Sequence, residues 1–162
     1  KLIKYNITLI LKKVLIIFLF FVSMVNKIFF NNLKINQSYT DSVKVTNTII
    51  KKFASASGDK NPIHLNDKFA KNSIFGTRIA HGMLIASFIS SVIGNKFPGN
   101  GTIYVSQNLE FKRPVKINDL VKIRIVVKKK ILKKKWCELQ TLCFVKNKIV
   151  LDGTAVVIPP QK

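Results

Sequence analysis

The amino-acid sequence predicts an α+β fold, a curved antiparallel sheet wrapped round one long buried helix. Two observations carry this. From His81 to about Ile93 the apolar residues Met83, Leu84, Ile85, Ala86, Phe88, Ile89, Val92 and Ile93 cover nearly the whole circumference of a helix, and a helix apolar all round belongs in an interior. Beyond Gly101 the pattern changes to period two, through Ile103, Val105, Leu109 and Phe111, then Val121, Ile123, Ile125 and Val127, then Trp136 to Val145, then Ile149 to Ile158. These stretches read as four strands, and a fifth, Ser38 to Val45, lies upstream of the helix.

Residues 1–32 stand apart from the rest. Lys12-Lys13 precede the apolar run Val14 to Val22, which is shorter than the roughly 20 residues of a bilayer span. The run resembles the core of a signal peptide, but Val22-Ser23-Met24 lacks a small-x-small cleavage pattern. The alternative expectation is that residues 1–23 are upstream sequence read in frame before Met24. Membrane contact is expected only if that segment is retained.

After the first strand, Thr46 or Thr48 supplies an N-cap for a helix carrying Ile49, Ile50, Phe53 and Ala54, and Gly58 can take the positive φ that ends it. Asn61-Pro62 forces a change of direction, since proline fixes its own φ and pushes the preceding residue out of the helical region. Asn66-Asp67 caps a short helix through Phe69 and Ala70, closed by a turn at Gly76. The long helix has hydroxyls at Ser87, Ser90 and Ser91 and is expected to end at Gly94-Asn95, ahead of Pro98. Breaks at Pro114 to Asp119, Lys128 to Lys135 and Lys146 to Lys148 are short enough for hairpin or meander connections. The Lys128 to Lys135 cluster reads as a solvated turn, and as the best local candidate for a phosphate contact.

A chain of 162 residues, 48% hydrophobic, has material for one domain with one core. Its 28 basic residues against 7 acidic give a net charge of +21, a balance often found on nucleic-acid binders. The lysines are spread along the chain, with no basic helix bearing base-reading side chains and no zinc spacing, so an evenly solvated surface is expected and nucleic acid is not. Cys137 and Cys143 lie on one expected strand, about 20 Å apart and beyond disulfide reach. Free thiols suit a reducing compartment, and a cytoplasmic location is expected.

The chemistry concentrates in Phe53-Ala-Ser-Ala-Ser-Gly-Asp-Lys-Asn-Pro-Ile-His64, which packs two proton-transfer groups, Asp59 and His64, into one turn. Ser57-Gly-Asp-Lys-Asn-Pro-Ile-His64 followed by Ile79-Ala-His-Gly-Met83 resembles the MaoC-like, R-specific enoyl-CoA hydratase family. The resemblance continues through Pro98-Gly-Asn-Gly-Thr-Ile-Tyr104, Leu109-Glu-Phe-Lys-Arg-Pro-Val115 and Asn118-Asp-Leu-Val121. It covers roughly Leu33 to Pro159, so residues 33–160 are expected to form the domain and 1–32 an extension. It implies a hotdog fold, a homodimer with sites near the subunit boundary, and an acyl-CoA thioester as substrate. Coenzyme A would enter only as part of that substrate, with no separate cofactor.

Hydrating a trans-2-enoyl thioester needs a base for water, an acid for the α carbon, and a stabiliser for the enolate oxygen. Asp59 and His64 can divide the first two tasks through one water, and the resemblance implies that they are the catalytic pair. Gly82 can supply the third. At the first turn of the buried helix its N–H is free of helical bonding and sits at the positive end of the helix dipole, and glycine lets a carbonyl approach closely. Asn61, His81 and Ser90 are expected to touch or orient substrate, His81 as a neighbouring structural or mouth-lining group.

Blander assignments exist for each residue. A lone Asp or His near a turn is usually a cap or a satisfied surface group, Asp59 could be making an Asx turn, and a helix serine often bonds back to its own turn. It is the linked motifs that favour catalysis. Asp59, His64 and His81 also have the chemistry of a two-His, one-carboxylate metal site, but no further ligand-rich cluster accompanies them, and no metal is expected. The alternative activity is a 3-hydroxyacyl-[acyl carrier protein] dehydratase, which would use the same groups in reverse and for which a basic rim would suit an acidic carrier.

Overall fold

In the computed structural model, Lys13 and residues 27–162 are described. The expectations for residues 1–23 fall outside the described residues, apart from Lys13, which is exposed. Among the described residues no helix is long and apolar enough to cross a membrane.

Among the described residues there are five strands: β1 (Ser38–Lys44), β2 (Ile103–Phe111), β3 (Leu120–Ile131), β4 (Trp136–Val145) and β5 (Lys148–Ile158). All pair antiparallel in the order β1-β3-β4-β5-β2. The β4–β5 connection is a two-residue hairpin loop in which Lys146 and Asn147 both take positive φ, as a turn matched to strand twist requires. Four α-helices lie among the described residues: α1 (Asn47–Ser57), α2 (Pro62–Leu65), α3 (Asp67–Lys71) and α4 (Gly82–Asn95).

Strands β2 and β3 stand three places apart in the sheet, yet both pack against α4. That is possible only if the sheet curls round the helix. On β3 the alternate residues Val121, Ile123, Ile125 and Val127 are all fully buried. They meet Leu84, Ile85, Phe88, Ile89, Val92 and Ile93 of α4 in one core, each such side chain contributing roughly 1.5–3 kcal/mol by burial.

The capping chemistry expected from the sequence is in place. Thr46 accepts from the Ile49 N–H at 3.2 Å to start α1, Gly58 ends it at φ 77°, and Asn66 accepts from the Phe69 N–H at 3.0 Å to start α3. The one-turn helix α2 was not anticipated.

Three expectations need correction. The Pro114 to Asp119 break is a crossover from one side of the sheet to the other and not a hairpin, because β2 pairs with β5 and β3 with β1. The Lys128 to Lys135 break is narrower than expected, since β3 runs on to Ile131 beyond a bulge after Val127. Helix α4 is not buried all round: Met83 is 58% exposed, and Ser87, Ser90 and Ser91 face outward. It ends at Asn95, as expected, with Lys96 as its C-cap.

The fold also begins earlier than residue 33. The Ile28 N–H donates to Pro98 O at 2.8 Å, the Phe30 N–H donates to Pro160 O at 3.0 Å, and Phe30 is only 5% exposed. Lys130 fastens this segment, donating to Leu33 O at 2.7 Å with its ammonium 4.6 Å from the centre of the Phe30 ring.

Candidate active site

The turn between α1 and α2 is built by its own polar groups. Asp59 N–H donates to Ser57 Oγ at 3.3 Å, and Asp59 Oδ1 accepts from the Asn61 N–H at 3.2 Å, an Asx turn. Asn61 Oδ1 accepts from the Ile63 N–H at 3.1 Å and so caps α2, with Pro62 in the first helical turn. That single turn of helix brings His64 back beside Asp59. A carboxylate oxygen of Asp59 and one ring nitrogen each of His64 and His81 lie within 4.8 Å of one another.

His64 is nearly buried, and its Nδ1 lies 2.9 Å from Ile79 O. A carbonyl only accepts, so Nδ1 carries the proton. In the neutral ring Nε2 is then a free base. An upper limit of 4.8 Å between the groups leaves room for one bridging water, since two hydrogen bonds of about 2.8 Å meeting at a water oxygen span about 4.5 Å.

His81 is 2% exposed and closes the site from behind. Its Nε2 lies 3.1 Å from the main-chain oxygen of Asp59, and its ring stacks on that of His64 with centroids 3.8 Å apart. Burial pushes its pKa below the usual 6.5, the hydrogen bond to Asp59 opposing the shift and the neighbouring His64 adding to it.

Asp59, His64, His81 and Gly82 share a cavity of about 460 Å³ with Phe75, Ile85, Phe111 and Leu151. The size and the mostly apolar walls are those of a small-ligand site. Gly82 opens α4 here, where its N–H has no carbonyl one turn earlier in the helix to bond. A Cβ on Gly82 would stand 2.8 Å from Phe111 Cε1, so the absence of a side chain is what lets the ring sit this close.

Two residues expected at the substrate are not brought into the cavity. Asn61 is exposed and its side-chain oxygen is committed to the α2 cap, while Ser90 lies on the outward face of α4. His81, expected as a neighbouring structural or mouth-lining group, is buried and lines the cavity beside the pair. In turn, the cavity contains four residues that were not expected at the site: Phe75, Phe111, Lys112 and Arg113. Lys112 is paired with Glu110, and Arg113 Nη1 donates to Ile149 O at 2.6 Å. These two cations, and not the Lys128 to Lys135 cluster, are the basic groups at the cavity. The signal for them was their place in the Leu109 to Val115 motif.

As a metal site the cluster fits poorly. A tetrahedral ion with bonds of 2.0–2.1 Å holds its ligand atoms about 3.4 Å apart, closer than the 4.8 Å spread seen here. His64 Nδ1 and His81 Nε2 are both engaged by carbonyls, which leaves one nitrogen on each ring for any ion.

One helix packed against a five-stranded antiparallel sheet defines a protein of the hotdog class. The chain belongs to the MaoC like domain family, whose model matches residues 30–148. It is 42% identical to an (R)-specific enoyl-CoA hydratase of Rhodospirillum rubrum over 83% of this chain and 93% of that protein. It is 38% identical to a 3-hydroxybutyryl-CoA dehydratase of Methylorubrum extorquens over 83% and 86%. Among solved structures, the unliganded R-hydratase of Pseudomonas aeruginosa superposes with a TM-score of 0.80 at 36% identity, over 84% of this chain and 88% of that one.

Proposed function

We infer that this chain is a hydro-lyase, an R-specific enoyl-CoA hydratase that adds water reversibly to a trans-2-enoyl-CoA to give the R-3-hydroxyacyl-CoA. The observation that carries the mechanism is the hydrogen bond of His64 Nδ1 to Ile79 O, which leaves Nε2 as a base beside the Asp59 carboxylate.

Water held between the two groups gives one proton to His64 Nε2 as its oxygen adds to C3. The π electrons shift toward the thioester carbonyl, whose oxygen gains negative charge and accepts from the Gly82 N–H. The imidazolium then returns the proton to C2. Asp59 accepts a hydrogen bond from the water's other hydrogen and offsets the transient charge on His64. One water is consumed, its O–H bond and the C2–C3 π bond are exchanged for C3–O and C2–H bonds, and both new bonds form on the face toward the pair. The relatives' names support the R configuration.

No separate cofactor enters this scheme. A second copy of the chain is placed along β2, an edge strand on which Ile103 is 60% and Val105 41% exposed. A reducing cytoplasm suits the two free, buried cysteines.

The test is direct. The purified protein with crotonyl-CoA and longer enoyl-CoAs should bleach the conjugated thioester absorbance and yield the R product. Turnover of carrier-protein thioesters alone would transfer the assignment to an acyl-carrier-protein dehydratase, and no turnover of either kind would overturn it.

A further inference from the structure

Building on the hydratase reading, we infer that His81 is the positioning residue that sets Asp59 against His64, acting as a neutral imidazole with its proton on Nε2. The turn from Ser57 to Asn61 is otherwise held by local hydrogen bonds. Ser57 Oγ donates to Phe53 O, Gly58 N–H to Ala54 O, and Asn61 N–H to Asp59 Oδ1. Among the described residues, the bond from His81 Nε2 to Asp59 O is the one hydrogen bond tying that turn to a distant part of the chain.

The tether originates where the other one does. His64 is oriented by Ile79 O and Asp59 by the His81 ring, so one three-residue segment aims both members of the pair. Ala80, between them, is fixed by its N–H to Val115 O at 2.7 Å, and the next residue is Gly82. A displacement of this segment would move base, carboxylate and N–H donor together.

The protonation state follows from the partners. Asp59 O can only accept, so Nε2 is protonated; Nδ1 is buried and meets no hydrogen-bond partner. A second proton there would leave an unsatisfied buried donor and put a positive charge against the face of His64, 3.8 Å between centroids. Phe53, tilted at 54° with its centroid 5.0 Å away, gives the ring an apolar neighbour.

The test separates the bond from the ring. His81→Phe keeps a ring against His64 but loses the N–H to Asp59 O, whereas the amide nitrogen of His81→Gln can stand near the position of Nε2. The Phe variant should lose about 10- to 100-fold in kcat on crotonyl-CoA with KM within about twofold, and the Gln variant should stay within about threefold of wild type. Equal losses in both variants that follow their fall in Tm, or full kcat in the Phe variant, would overturn the inference.

A second measurement needs no variant. The chain has two histidines, so ring-nitrogen NMR of 15N-histidine protein gives two assignable spin systems. At pH 7 His81 should show a protonated Nε2 and a bare Nδ1. An imidazolium or the opposite tautomer would sink the proposal even if neither variant folds. Wild-type protein inactive on every enoyl thioester would instead count against the hydratase reading, and the NMR result would still decide the geometry of His81.

Discussion

Phe111 lies so close over Gly82 that a Cβ on the glycine would meet its ring at 2.8, 3.0 and 3.1 Å. The ring is half exposed and can swing outward, so the conflict would be relieved by opening the wall of the cavity and not by unfolding. Replacing a helical glycine by alanine also gains roughly 0.5–1 kcal/mol, which offsets the strain. Gly82→Ala is therefore expected to change stability by less than about 1 kcal/mol while lowering kcat/KM about tenfold or more. Adding Phe111→Leu should restore part of the loss, a non-additivity that a double-mutant cycle measures directly.

Asp59 and His64 act on a single water in the proposed mechanism. Asp59→Asn and His64→Gln should each lower kcat by about two orders of magnitude with the fold intact, as removal of a general acid or base does. The double variant should be little slower than either single one, because a disabled water position cannot be disabled twice. Steady-state kinetics with circular dichroism as the folding control checks this, and fully multiplicative losses would exclude a shared water.

Much of this architecture is legible in the sequence because it is set locally. Thr46, Gly58 and Asn66 each act within a few residues of themselves, and their roles follow from side-chain chemistry. The spacing from Asp59 to His64 also carries its meaning locally, since Asn61 and Pro62 build the turn between them. What could not be read is the order of strands, which depends on pairings as distant as β1 with β3. With strand order went the crossover that brings Phe111, Lys112 and Arg113 to the cavity. Apolar periodicity likewise overstated the burial of α4, because small residues such as Ala86 and Gly94 fit an interior or an open face equally well. Asn61 and Ser90 show the complementary limit: a motif position does not reveal whether a side chain faces the ligand or its own backbone.

The pH dependence of stability has a sign set by His81. Its pKa in the folded protein lies below 6.5, chiefly through burial, so the unfolded chain binds the proton more readily. Above pH 6.5 both states hold the ring neutral and its contribution is fully favourable. As pH falls from 6.5 through the lower folded value, the unfolded state is increasingly preferred. Urea midpoints should therefore drop on acidification across this window, and more shallowly in His81→Gln; an unchanged slope in that variant would assign the effect to other groups.

Hydration should proceed without a metal ion. The donor atoms of Asp59, His64 and His81 are spread wider than a tetrahedral site allows, and one nitrogen of each imidazole is already bound to a carbonyl. Prolonged dialysis against EDTA is expected to leave kcat within about 20% of its starting value, a margin far below the several orders a catalytic zinc commands. A loss of activity restored by one particular divalent ion would reverse this assignment.

Phe30 provides the final prediction, because it decides where the domain begins. The ring is 5% exposed, belongs to the main core, and carries the Lys130 ammonium 4.6 Å from its centre. A polar linker leading into a domain that starts at residue 33 would tolerate truncation there. Phe30→Ala is instead expected to cost about 3–5 kcal/mol, the range for deleting a buried phenylalanine with partial collapse of the cavity left behind. Lys130→Met keeps much of the stem that covers the ring but loses the hydrogen bond to Leu33 O, and should cost only about 1 kcal/mol. Both are read from denaturation midpoints of the full chain. A cost below about 1 kcal/mol for Phe30→Ala would mean that the segment before Leu33 is a detachable tail.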